Sequence, residues 1–481
     1  MTRIHTFGAL LALTTTLAGC ASTGAAGTTA RPVAPAAWET DTAADTTTRA
    51  DLARWWEQLA DPTLTTLIAR AVDGSPDVRV AQARLQQARA LQAQAAAALW
   101  PTVTASGSTT ARRSGQRALG LDGQTSIVNV NTGSYGGSLD ASWEPDIVGG
   151  IRKGRDAATA DLQAVAADLA GAHVSLAADV ATTYLELRTL QARLDVAERN
   201  VASQAETLEL TGFRAQAGLV TELDVEQARA NLEQTRAAIP TLEASARQAM
   251  YRLATLAGAE PGAFVAELTA VIALPAVPES LAFGIPAETL RQRPDVQAAE
   301  RRLAAETARL AQTDARRLPS FALSGSVGAE VLKGAGSAGT SVATSILGSL
   351  FQPLFDRGRI REQIAAQGAV QAQAVATYEG TVLTALEDVE RALVAFERSR
   401  DRLNALEAAA TAADTAATLA RTQYAAGLID FQTVLSTERT VLSVQESVVV
   451  TTGDRMAALV QLYRALGGGW SPATTTETTT S

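Results

Sequence analysis

Two long stretches without proline, residues 151–217 and 360–426, constrain the fold of this sequence most. Apolar side chains recur in both at spacings near three, four and seven, which predicts helices of about 100 Å at 1.5 Å per residue. Helices this long cannot bury themselves in one small core, so they need neighbours in an extended coiled coil or a barrel of helices. Returning helical patterns follow glycine turns at 220–257 and 430–466, which predicts two antiparallel hairpins.

Each hairpin belongs to a duplicated unit. Four segments of the first half reappear in order in the second half: 75–78 matches 293–296, 99–103 matches 318–321, 143–145 matches 351–353, and 217–220 matches 426–429. Matches at a nearly constant offset indicate a duplication. Each unit is predicted to run short helix, strand pair, long helix, tight turn and long helix. The units are expected at 51–258 and 286–467, with a linker at 259–285.

Alternating apolar and polar residues predict the strand pairs. The predicted strands are about 102–110, 136–144, 320–330 and 341–351, and the Gly-, Ser- and Asn-rich stretches 112–133 and 332–340 are expected to be outward loops. Period-2 strands of about ten residues suit a lipid-facing barrel with a wet lumen. The alternative is a set of surface hairpins on a soluble domain. Beyond residue 20 there is no uninterrupted apolar run of about 18 residues, so any membrane crossing is expected in strands.

The N-terminus is typical of a secreted lipoprotein. Arg3 precedes an apolar stretch, and residues 17–20 end in Cys20, which predicts a signal peptide at 1–19 and acylation of Cys20. Ala21, where an aspartate would favour retention in the inner membrane, favours the outer membrane. The alternative is an ordinary signal peptide with an incidental cysteine. Residues 20–50 are predicted to be a lipidated tether, and 468–481 a disordered tail.

The composition excludes most site chemistry. The chain has one Cys, two His and a net charge of -9. A lone Cys supports neither a disulfide scaffold nor a cysteine-ligated metal, and two isolated His supply no metal cluster or catalytic triad. An acidic chain is a poor partner for nucleic acid. We therefore expect no enzyme activity, no catalytic or metal site and no cofactor apart from the lipid on Cys20.

The lipobox at residues 17–20, the duplicated units and the hairpin turns together resemble the outer membrane factor family. Its members are the TolC/OprM-like (NodT-type) exit ducts of efflux pumps and type I secretion. The most specific motifs are 218–220 with Asp224, 293–296, and 424–428. The resemblance covers about residues 50 to 467. It implies a fold class that is mainly α with membrane β. Each protomer of a homotrimer gives four strands to a shared 12-stranded β-barrel and its long hairpins to a periplasmic α-barrel, with 259–285 in an equatorial belt.

The same resemblance implies a periplasmic gate at the hairpin ends. Asp224 and Tyr424 match an aspartate and a tyrosine that link neighbouring hairpins in the closed state. The tip arginine and two ring aspartates of the TolC pattern fall at Ile429, Thr433 and Ser436. Asp430 is therefore expected to supply the constriction, sensitive to salt and pH because three copies of one carboxylate repel each other. The alternative for Asp224 and Asp430 is helix capping.

The two turns are predicted to contact a periplasmic adaptor protein. The residues concerned are Gly218, Leu219, Val220, Gly427, Leu428 and Ile429. The alternative for Leu219 and Leu428 is the hydrophobic contact of a glycine C-cap. The predicted function is a passive outer membrane exit duct for small molecules such as drugs or metals, which works with an adaptor and an inner-membrane pump. Type I protein secretion and a structural coiled-coil periplasmic lipoprotein are the alternatives.

Overall fold

The computed structural model describes residues 52–119, 125–275, 291–334 and 337–470. The predicted signal peptide, the tether with Cys20, residues 276–290 around the end of the predicted linker, and 471–481 of the predicted tail lie outside the described residues. The three residues at 468–470 differ from the predicted disordered tail. The backbone N–H groups of Gly468 and Gly469 donate to the carbonyls of Tyr463 and Leu52, both at 2.9 Å, so these bonds tie the first tail residues to the fold.

Both units contain the predicted elements in the predicted order, and the first unit has one further helix, α1, that was not predicted. In the first unit these are α1 (Pro62–Gly74), α2 (Pro76–Ala97), β1 (Thr102–Leu119), β2 (Thr125–Trp143), α3 (Gly150–Gln216) and α4 (Glu222–Leu256). A short helix α5 (Val265–Leu268) precedes the second unit, which contains α6 (Pro294–Ala315), β3 (Ser320–Gly334), β4 (Ser337–Phe351), α7 (Arg359–Ala425) and α8 (Phe431–Ala465). The four long helices begin and end close to the predicted positions.

The strands form one antiparallel sheet in the order β1-β2-β3-β4. Duplicated hairpins therefore join through β2 and β3, which pair from Thr132↔Gly334 to Trp143↔Leu323. Within the described residues β1 and β4 each pair on one side only. Four strands are too few to close a barrel, and an unpaired edge exposes a row of backbone N–H and C=O groups.

The strands are longer than the sequence predicted. β1 pairs with β2 without a break from Thr102↔Ser142 to Leu119↔Thr125, so most of the predicted loop 112–133 is strand. β3 and β4 pair up to Gly334↔Ser337, which likewise replaces most of the predicted loop 332–340. The ladder depends on backbone hydrogen bonds, which Gly, Ser and Asn supply as well as apolar residues do. A strand of 18 residues spans about 60 Å, whereas a tilted membrane strand needs about ten residues.

The two long helices that follow the sheet begin at similar corners. Gly149 and Gly358, just before α3 and α7, both have a φ of 83°, which favours glycine. The Asp146 carboxylate accepts from the N–H groups of Ile151 and Arg152. Burial alone would raise the pKa of Asp146, but these hydrogen bonds outweigh it, and the pKa lies below its usual value. The ionised carboxylate thus satisfies helix N–H groups that have no partner inside the helix.

The helices pack side by side. α3 packs against α2, α4, α6 and α8, whereas α7 packs against α6 and α8. α3 and α8 thereby join the two hairpins. Large apolar side chains remain exposed along α4 and α7: Leu223, Tyr251, Leu383, Val394 and Leu419. Such faces suit a wall that continues into neighbouring helices.

The main hydrophobic cluster surrounds the middle of α3 and includes residues of the described segment before α2 and of the end of α8. Trp55 stacks on Tyr463 of α8 with ring centroids 5.0 Å apart. The Tyr184 hydroxyl of α3 donates to Asp61, the N-cap of α1, at 2.6 Å. Burial, followed by this hydrogen bond, raises the pKa of Tyr184 to about 12. The described segment before α2 thus packs against α8 and the middle of α3.

By length and composition alone, α3 is the one helix among the described residues that could cross a membrane. Half of its most apolar stretch is buried against the rest of the protein, and the core helix of a soluble protein can be equally long and apolar. Charged residues interrupt this stretch, so the sequence shows no continuous apolar run there.

Candidate functional site at the hairpin ends

The two hairpin turns have the same geometry. After α3, the N–H groups of Gly218 and Leu219 donate to the carbonyls of Ala215 and Arg214, both at 2.9 Å. After α7, Gly427 and Leu428 repeat these bonds to Tyr424 and Gln423, again at 2.9 Å. The glycine φ values of 71° and 76° explain why both halves of the repeat carry glycine at this position.

The leucines after these glycines face outward. Leu219 is 66% exposed and Leu428 is 74% exposed, so neither side chain is buried in the hydrophobic contact of a glycine C-cap. The next residues, Val220 and Ile429, pack instead against a buried cluster at the hairpin ends. Each turn therefore presents one apolar side chain on a fixed backbone.

Both predicted gate aspartates take part in helix capping within one chain. Asp224 accepts from the Thr221 N–H at 3.0 Å and forms a capping box at the start of α4. Asp430 is the N-cap of α8, and its Oδ1 accepts from the Thr433 hydroxyl at 2.6 Å and from the Thr433 N–H at 2.9 Å. These bonds hold the pKa of Asp430 below its usual value. The capping alternative therefore describes the single chain, and Asp430 carries a negative charge at the hairpin end.

Tyr424 is buried inside its own chain, with 1% of its surface exposed. Its ring lies 5.8 Å from the Phe431 ring. It belongs to a cluster drawn from α4, α7 and α8: Ala228, Ala420, Phe431, Val434 and Leu435. Within the described residues the Tyr424 hydroxyl has no hydrogen-bond partner. In this conformation the side chain serves packing, and the structure does not place its hydroxyl on another hairpin.

Arg214, which the sequence analysis missed, joins the two hairpins. From the last turn of α3 its guanidinium lies 4.6 Å over the Tyr424 ring. It donates to the backbone carbonyls of Tyr424 and Ala425 at the C-terminus of α7. A cation at this position interacts favourably with the helix dipole and with carbonyls that have no partner inside the helix. Only its position three residues before a helix end could have drawn attention to it.

Two more polar contacts connect α4 and α8 near these ends. Gln432 donates to Gln227, and Arg439 donates to Asn231 at 3.0 Å. Asn231 is itself buried. The hairpin ends are thus held together by an apolar cluster with polar links at its edges.

Further along the helices, a polar seam lies between α3 and α8. The Thr207 hydroxyl donates to Glu438 at 2.6 Å, and Asn200 donates to Gln445 at 3.0 Å. Burial raises the pKa of Glu438. Both amide atoms of the buried Gln204 lack a hydrogen-bond partner within the described residues. A buried polar group without a hydrogen-bond partner costs free energy, so Gln204 weakens the packing of this seam.

The repeated motif at 293–296 has a structural role. Arg293 is buried and donates to Asp295 at 2.7 Å, to Asp388 of α7 at 3.1 Å and to the Ala465 carbonyl of α8 at 2.8 Å. It thereby fixes the start of α6 to both helices of the second hairpin. This explains an arginine before Pro294 without any ligand.

Among the described residues the sheet has two open edges and is attached to helical hairpins with apolar ends, an arrangement that suits one part of a membrane duct. The chain belongs to the outer membrane efflux protein family: the model of the family described as "Outer membrane efflux protein" matches residues 67–259 and 285–468. It is an outer membrane channel that serves as an efflux exit duct.

Similar proteins support this assignment. The chain is 32% identical to Nodulation protein T of Rhizobium leguminosarum bv. trifolii, across 87% of this chain and 88% of that protein. It is also 32% identical to "Pyoverdine export outer membrane protein OpmQ" of Pseudomonas putida, across 91% and 92%. The solved structure of the outer-membrane channel OprN has 37% identity and a TM-score of 0.83, across 92% of this chain and 98% of that one.

Proposed function

We propose that three copies of this chain form a 12-stranded barrel above a tunnel of twelve long helices, which conducts small molecules passively. An inner-membrane pump supplies the energy and a periplasmic adaptor makes the connection. The observation that carries the proposal is the open sheet: among the described residues β1 and β4 each lack a neighbouring strand on their outer side. Three sheets joined at these edges close a barrel, which removes every exposed edge.

Small molecules are the proposed cargo. One relative is named for the export of pyoverdine, which favours this cargo over proteins. A purely structural lipoprotein is set aside because the chain belongs to a family of channels.

Cys20 is proposed to carry acyl chains that anchor the N-terminus in the outer membrane. Each buried CH₂ contributes about 0.8 kcal/mol, so several chains give a durable anchor. Mass spectrometry of the purified protein tests this: an N-terminal peptide that begins at Cys20 with acyl mass is expected. An unmodified peptide that retains residues 1–19 would contradict it.

The hairpin ends are proposed as the closing point of the tunnel and as the adaptor contact. Asp224, Tyr424 and Asp430 are the proposed gate residues, and the two exposed leucines are the proposed contact residues. A Leu219→Asn, Leu428→Asn double variant should reach the membrane normally but lose efflux that depends on the adaptor. A Leu91→Asn, Leu383→Asn variant, which changes exposed leucines on α2 and in the middle of α7, away from both turns, is the matched control.

Cross-linking tests the shared barrel. In a Cys20→Ser background, cysteines at Thr104 and Ser349 lie at the same end of the sheet, on β1 and β4. A short bis-maleimide should therefore link separate chains into covalent dimers and trimers. The matched control replaces the Ser349 cysteine with one at Ala338, at the opposite end of β4. Equal cross-linking by both pairs, or none by either, would contradict the shared barrel.

A further inference from the structure

All four strands meet the helices at one end of the sheet. The register pairs Thr102 with Ser142 and Ser320 with Phe351, which places the start of β1 and β3 beside the end of β2 and β4. Four connections between strands and helices lie here, and we call three of them, with the adjoining ends of their helices and strands, the collar: 144–156, 314–317 and 351–362. The segments touch: Gln352 donates to the Arg317 carbonyl at 3.1 Å.

The collar exposes large apolar side chains. Leu354 is 92% exposed and Phe355 is 85% exposed, and Ile147 is exposed as well. Trp100, just before β1, is also exposed, and the Trp143 indole N–H donates to the Leu99 carbonyl at 2.9 Å. Tryptophan is enriched where membrane and water meet, because its ring is amphipathic.

The collar is also basic. It contains eight Lys or Arg and six Asp or Glu, although the chain as a whole has a net charge of -9. Among the described residues Arg316, Arg357 and Arg359 form no ion pair within 4.0 Å, whereas Arg317 and Arg361 do. Two of the acids, Asp146 and Asp356, are already occupied by N–H groups at the helix starts.

A rigid corner holds these groups in place. Arg357 has a φ of 55°, uncommon for a residue with a side chain, and Gly358 follows with 83°. Asp356 accepts from the Gly358 and Ile360 N–H groups, both at 2.9 Å. The corner therefore presents Leu354 and Phe355 close to Arg357, which follows Asp356 and forms no ion pair among the described residues.

We propose that the collar binds the headgroups of anionic phospholipids in the periplasm-facing leaflet of the outer membrane. This rests on the outer membrane location and on the sheet as its spanning part. The apolar side chains enter the acyl boundary, and Arg316, Arg357 and Arg359 contact the phosphates from the water side. The lipid-facing surface of the barrel thus continues into a charged rim at the level of the headgroups.

Native mass spectrometry of the purified oligomer tests the proposal, with dioleoylphosphatidylglycerol and dioleoylphosphatidylcholine as probes. An Arg316→Gln, Arg357→Gln, Arg359→Gln variant should bind the anionic lipid at least about tenfold more weakly, with little change for the zwitterionic lipid. Inorganic phosphate in excess should not displace the lipid, because it lacks the acyl contact. A Leu354→Asn, Phe355→Asn variant should weaken binding of both lipids.

The matched control changes three exposed arginines that have no ion pair among the described residues and lie on helices away from the collar: Arg247→Gln, Arg252→Gln and Arg402→Gln. The proposal predicts wild-type lipid binding for this control. Equal loss in both triple variants, or unchanged lipid binding in the collar variant, would overturn it. Dissociation of the oligomer by the collar variant would also overturn it, since these residues would then form a subunit interface. Oligomeric state and conductance, measured on the same sample, separate this outcome from failure of the proposed duct.

Discussion

At Tyr424, packing and the family resemblance lead to different expectations. The resemblance assigns its hydroxyl to a link between hairpins in the closed state. In the structure the ring is buried beside Phe431 and under Arg214, and the hydroxyl has no partner among the described residues. The two roles predict different effects of removing one oxygen.

Tyr424→Phe should leave the free energy of unfolding unchanged or slightly higher, because it removes a buried polar atom without a partner. Tyr424→Ala should cost about 3 kcal/mol, because it leaves a cavity in the cluster at the hairpin ends. Urea unfolding followed by circular dichroism measures both. A Phe variant as unstable as the Ala variant would show that the hydroxyl, and not the ring, stabilises the hairpin ends.

Glu438 makes the seam between α3 and α8 dependent on pH. Burial raises its pKa, although the Thr207 hydroxyl and Arg421 act in the opposite direction. A raised pKa in the folded state means that its stabilising contribution is present below the unfolded pKa and is lost as pH rises through the folded pKa.

Glu438→Gln should therefore raise stability at neutral pH relative to wild type and have little effect below about pH 4. The quantity to compare is the difference between variant and wild type at each pH, since Asp146, Asp356 and Asp430 have lowered pKa values and act in the opposite sense. Glu446→Gln is the control, because Glu446 is less buried and lies one turn or more along the same helix. A variant less stable than wild type at neutral pH would mean that the Arg421 charge outweighs burial.

At the scale of elements, the helices were more predictable than the strands. The apolar periodicity of two stretches without proline defines α3 and α7, and the glycines at 218 and 427 define the ends of these helices, because glycine adopts a positive φ without a steric penalty. The predicted ends of β1 and β2 were wrong because the parts of these strands within residues 112–133 are rich in Gly, Ser and Asn. The pairing of these parts depends on the backbone. The Arg214 contact was not predictable, since it depends on how one hairpin lies against the other.

The turn glycines allow a test of this account. Gly218→Ala should cost about 1 kcal/mol from backbone strain alone, since a Cβ there would meet no atom within 4 Å. Gly427→Ala should cost about the same, because its Cβ would meet the Arg214 guanidinium only at an ordinary van der Waals distance of 3.7 Å. Gly212→Ala, inside α3 with open space around it, should instead stabilise the helix. Equal effects at all three sites in urea unfolding would contradict the left-handed turns.

At the scale of the molecule, two hairpins and one sheet make an incomplete wall. The open edges of β1 and β4 and the exposed faces of α4 and α7 lie on a chain that belongs to a channel family. The sequence predicted the need for other copies through the number of strands. It could not predict which contacts hold the hairpin ends together, because these depend on side-chain packing among four helices.

Single-channel conductance of the purified oligomer in planar bilayers tests the central claim most directly. Wild type should show a small conductance, and Arg214→Ala should raise it, because the link from α3 to the end of α7 is lost. Arg247→Ala, on α4 and without an ion pair among the described residues, should conduct like wild type. A verified trimer that shows no conductance in any variant would contradict the account of a duct held closed at its hairpin ends.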